Sequence, residues 1–74
     1  MRISYDQNVD ALTIKFSDKP YTRSLEVIEG VMIDVTAAGE IIAIEILYAT
    51  AREIDPYEIV YRYSQLPAQT AAET

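Results

Sequence analysis

The sequence predicts a mainly β fold, α+β in class: a small antiparallel meander sheet of about five or six strands with a short helical turn near the C-terminus. Three observations carry this prediction. Apolar and polar residues alternate along several short runs, as they do in strands that turn one face to a core. Turn-forming Asp, Asn, Pro and Gly separate those runs. A single stretch, beginning at Asp55, has the residues of a helix start.

The opening "RISYDQNVDALTIKFS" holds two such runs, with Ile3 and Tyr5 on one and Leu12, Ile14 and Phe16 on the other. Between them "DQNVD" supplies residues that tolerate turn geometry, so the pair reads as a hairpin. "SDKPY" is a surface connection marked by Pro20, and "TRSLEVIEG" is a third strand in which Leu25 and Val27 alternate with Ser24, Glu26 and Ile28. Gly30 closes that strand with a bend or bulge.

"VMIDVTAAGEIIAIEILYA" is the strongest hairpin. An even loop at Thr36–Gly39 brings Val31, Ile33, Val35, Ile42, Ile44 and Ile46 onto one face, and assigns Met32, Asp34, Ile41, Ala43, Glu45 and Leu47 to a mixed face opposite. Gly39 suits the positive backbone angle such a loop needs. Further on, Asp55, Pro56 and Glu58 mark a helical turn at 51–57, whereas "EIVYRYS" is rich in β-branched and aromatic residues and reads as a last strand at 58–64. A helix at 56–65 is the competing reading. Residues 1–66 form one β-rich domain by this account, with 67–74 a flexible tail.

Composition narrows the function classes. The 74 residues include no Cys and no His, which removes disulfides, thiolate nucleophiles, imidazole bases and the commonest transition-metal ligands. Twelve acidic and six basic residues leave a net charge of −6, which disfavours nucleic acid as a partner. The start lacks an apolar signal core, and the apolar run around Glu45 is too short to span a bilayer, so a cytoplasmic protein without a membrane partner is expected.

"ISYD", "DALTIKF" and "EVIEGVMIDVTAAGEIIAIEILYA" resemble the domain-of-unknown-function 2283 family of small prokaryotic proteins, over roughly residues 3–53. The resemblance marks Tyr5, Asp6, Asp10, Gly30, Asp34, Gly39 and Glu45 as pattern positions. It implies no activity. Some members resemble the antitoxin half of toxin and antitoxin pairs, which implies protein binding. The chain departs from the pattern at "AIEILYATAR", where Tyr48 and Thr50 stand at polar positions.

Candidate interface or pattern residues are therefore Tyr5, Asp6, Asp10, Asp34, Glu45 and Tyr48. Asp6 and Asp10 flank the first turn and fit local turn chemistry better than a hard cation, which needs more oxygen ligands at closer spacing. Glu26, Glu29, Asp34 and Glu45 lie on central strands, but an acid and base pair needs a pocket that so short a chain can hardly enclose. For Glu45 three structural roles precede catalysis: an ion pair with Arg23 or Arg52, the rim of a self-association surface, or an edge charge that discourages strand addition. Tyr48, Tyr57, Tyr61 and Tyr63 suit an interface or a half-buried cover for the sheet.

The functional expectation is a protein-binding or homo-oligomerising module, antitoxin-like, working as a homodimer or on a small basic protein such as a toxin. No catalytic, cofactor or metal residue is assigned. The alternative is a ligand-binding protein or enzyme whose site forms between subunits, with Asp34, Glu45 and Tyr48 as the residues to test.

Overall fold

The alternating runs become strands. A computed structural model describes residues 1–65, with β1 at Arg2–Asp6, β2 at Ala11–Lys15, β3 at Arg23–Ile28, β4 at Val31–Val35 and β5 at Ile41–Ile46, followed by a 3-10 turn at Thr50–Arg52. All five strands pair antiparallel in one open sheet of order β1-β2-β5-β4-β3. That order corrects the expected meander: β2 pairs with β5, and the link through Pro20 carries the chain to the far edge of the sheet. Among the described residues there is no α-helix, so the class is mainly β rather than α+β.

Directly opposed residues share a face, and the register makes the two faces unequal. One cross-strand row reads Ile3, Ile14, Ile44, Ile33, Leu25, and the next Tyr5, Leu12, Ile46, Val31, Ile28. On the opposite face the rows read Arg2, Lys15, Ala43, Asp34, Ser24 and Ser4, Thr13, Glu45, Met32, Glu26. One face is thus aliphatic across every strand and the other is mixed.

The expected hairpin register holds for Val31, Ile33, Ile44 and Ile46, but not at the loop end. Thr36–Glu40 form a five-residue connection, closed by the Thr36 N–H donating to the Glu40 carbonyl at 2.9 Å, and a bulge lets Val35 pair with Ile41. Ile41 is left exposed while Ile42 is buried. A second bulge, between Glu26 and Ile28, precedes the two-residue turn Glu29–Gly30. Gly30 has φ +81°, so it serves as the bend that the sequence suggested.

The core is thin. Leu12, Val35, Ile42, Ala43 and Ala49 are the buried apolar residues, and covering Ile42 contributes roughly 1.5–3 kcal/mol. Among the described residues no helix or further strand packs over the aliphatic face, and Ile3, Phe16 and Leu25 are exposed.

The C-terminal expectation is corrected twice. The helical turn is the shorter and earlier Thr50–Arg52, and 58–65 are neither strand nor helix. Asp55 behaves as a turn cap, its carboxylate accepting the Tyr57 N–H at 2.8 Å, but the β-branched and aromatic residues that follow do not propagate a helix. They lack a strand neighbour as well. The tail expected at 67–74, and residue 66, lie outside the described residues. Among the described residues no helix is long and apolar enough to cross a membrane.

Candidate functional site

Three polar clusters use the candidate residues, the first and third of them meeting at the 3-10 turn. The first forms where the β1–β2 loop meets the 3-10 turn. Asp10, at φ +53°, closes the loop. Its carboxylate accepts the Tyr5 hydroxyl at 2.7 Å, the Thr50 hydroxyl at 2.8 Å and the Thr50 N–H at 3.1 Å. The Ala49 N–H donates to the Asp10 carbonyl at 3.0 Å. These bonds hold the Asp10 carboxyl below its ordinary value, with Tyr5 the largest cause and Thr50 next. The same bond and the adjacent negative charge push the Tyr5 hydroxyl up to about 12.

Asp10 is therefore a buckle between hairpin and turn. Asp6 stays local, accepting the Asn8 N–H at 3.0 Å in a turn of its own. Among the described residues no group of three or more acidic side chains is placed to hold a metal ion.

The second cluster lies on the mixed face. Asp34 is buried, at 3% exposure, and its carboxylate accepts a hydrogen bond from Ser24 on β3. Glu45 stands between Thr13 and Met32 in the neighbouring row. Hydrogen bonding to Asp34 pushes its carboxyl up to about 6, and burial and the Asp34 charge act in the same direction. The Glu45 carboxyl thus keeps its proton into the mildly acidic range.

This geometry corrects two roles expected for Glu45. β5 is the central strand, so Glu45 is not an edge charge. Arg23 and Arg52 do not pair with it: the described ion pairs are Lys15 with Asp18 at 3.5 Å and Lys19 with Glu40 at 2.9 Å.

The third cluster surrounds Gly30. Arg52 Nε donates to the Leu47 carbonyl at 2.8 Å, and its Nη2 donates to the Glu29 carbonyl, so one guanidinium ties β5 to the β3–β4 turn. Tyr48, at φ +57° and exposed, lies beside Gly30 just beyond the end of β5. It does not join Asp34 and Glu45. A shallow hollow of about 80 Å³ is lined by Met1, Arg2, Lys15 and Phe16–Asp18 and includes none of the candidate residues. Small-molecule pockets are typically about 300–1,000 Å³.

Sequence reasoning missed Ser24 and Thr50 as partners of the two key carboxylates, and it paired Arg52 with the wrong group. Spacing along the chain carries no signal for bonds that span 10 and 40 residues. Of the tyrosines expected to line an interface, Tyr57 packs edge-on against Tyr5 with ring centroids 5.7 Å apart, while Tyr61 and Tyr63 stand exposed.

These elements define a small open-sheet β protein in which the Asp10 and Asp34 carboxylates are engaged with its own chain. Within that class, residues 2–50 match the family described as "Protein of unknown function (DUF2283)", and the chain belongs to that family. The match spans all five strands and ends at Thr50, so the segment from Ala51 onward lies beyond it. No curated protein and no solved structure matches the chain.

Proposed function

We propose that the protein is a self-associating interaction module whose working surface is the aliphatic face of its sheet. One observation carries this reading: the row Ile3, Ile14, Ile44, Ile33, Leu25 crosses all five strands, no helix or further strand lies over it among the described residues, and its two ends, Ile3 and Leu25, are exposed. A sheet needs a layer packed on its apolar face, and association with a second molecule supplies one. Exposed apolar patches of this kind mark interaction sites.

Sedimentation equilibrium of the full chain tests the reading. A dimer is expected in the micromolar range, weakened about tenfold or more by Leu25→Asp with an unchanged far-ultraviolet dichroism spectrum. A folded wild-type chain that stays monomeric up to ~100 μM overturns it.

A second reading, a small basic protein as partner in the manner of an antitoxin, draws support from charge. Asp6, the last residue of β1, and Glu29, just past β3, lie at one end of the sheet on its opposite edges, and the whole chain carries a net charge of −6. Titration with a lysine-rich peptide at rising salt tests it. Salt-sensitive binding supports this second reading, and binding no tighter than to a neutral peptide removes it.

A further inference from the structure

We infer that the segment 58–65 of one molecule docks as an added strand along the outer edge of β3 in a second copy of the chain. This deepens the self-association reading and rests on it. The sequence of the segment, "EIVYRYSQ", has the β-branched and aromatic content of a strand. Among the described residues it makes no hydrogen bond to the rest of the chain, and Ile59, Val60, Tyr61 and Tyr63 are exposed. It has the residues of a strand and no sheet to join.

β3 is the complementary feature. Among the described residues it ends the strand order and has no strand on its outer side, and all six of its residues are exposed, among them Leu25, Val27 and Ile28. An exposed apolar edge of this length is a template for strand addition.

Reach rules out the chain's own β3. The segment leaves from Tyr57, which packs on Tyr5 of β1 at the opposite edge. Crossing from β1 to β3 spans four strand spacings, ~19 Å. The segment from Glu58 to Gln65 reaches only ~27 Å fully extended, so crossing the sheet leaves about two residues to lie along β3. A second copy removes that constraint.

Charge and area agree with such docking. Glu58 set against Arg23 makes one opposite-charge pair when segment and strand run parallel, and that register sets Tyr61 against Glu26. The three tyrosines at 57, 61 and 63, each about three-quarters exposed, supply with Ile59 and Val60 on the order of 600 Å² per molecule. The aliphatic face brings this to the ~800 Å² per partner of a stable interface.

The chain has no Cys, so single thiols report contacts cleanly. Mixing full-length Glu26→Cys with Tyr61→Cys under mild oxidation is expected to give a mixed disulfide dimer well in excess of that from Ser4→Cys, on the opposite edge strand, with Tyr61→Cys. A preference for Ser4 overturns the inference. So does a dimer in sedimentation with no cross-link at either position, which leaves self-association standing. A monomer in sedimentation removes both.

Discussion

At the scale of single residues, the two carboxylates that stood out in the sequence act oppositely with pH. Glu45 in the folded chain keeps its proton up to about pH 6, whereas an ordinary glutamate releases it near 4.5. The folded state therefore binds more protons in that window, and stability falls as pH rises through it. The effect is ~1 kcal/mol once the solvent-facing part of the carboxyl is discounted. Denaturant titrations between pH 4.5 and 6.5 are expected to show this slope, and Glu45→Gln to abolish it while raising stability at pH 7. Asp10 is depressed instead, so its contribution is present above its ordinary value of 3.8 and is lost as pH falls through the lowered one. Asp10→Asn is expected to lower the melting temperature at pH 7 and to flatten the acid limb of the stability profile. Asp10 and Asp34 were legible as pattern positions, and Glu45 as a member of the mixed face. Their partners Thr50, Ser24 and each other were not, because the fold creates those neighbours.

At the scale of elements, the glycine turns separate backbone freedom from space. Both Gly30 and Gly39 have positive φ, +81° and +86°, but a Cβ on Gly30 would lie 2.6 Å from the Arg52 guanidinium, whereas one on Gly39 meets nothing within 4 Å. Gly39→Ala is expected to cost about 1 kcal/mol and Gly30→Ala about 2–3 kcal/mol in chemical denaturation, with the extra cost shrinking when Arg52 is also changed to Ala. The strands themselves were readable because alternation is local. The bulge at Ile41 and Ile42 was not, since an even loop and a five-residue loop with a bulge leave nearly the same apolar pattern. The segment after Asp55 was misread for a different reason. Its β content is real, but a strand also needs a neighbour, and no property of "EIVYRYS" reveals whether one is within reach.

At the scale of the whole molecule, the radius of gyration of 15.0 Å exceeds the ~11 Å expected of a compact chain of this length. The excess matches a one-layer sheet with an outlying C-terminal segment. If association supplies the missing layer, folding and assembly are linked, and the thermal midpoint is expected to rise with protein concentration in calorimetry. A midpoint constant over a hundredfold range would contradict that linkage. The Arg52 contacts give this arrangement a mechanical side. Tension on the C-terminal segment reaches the sheet first through the Tyr57 ring on Tyr5, then through the Ile54 N–H bonded to the Ala49 carbonyl, and last through Arg52 on Leu47 and Glu29. The guanidinium anchors that load just past the end of the central strand and at the β3–β4 turn together, so a pulled segment is expected to peel back to residue 52 before any strand shears.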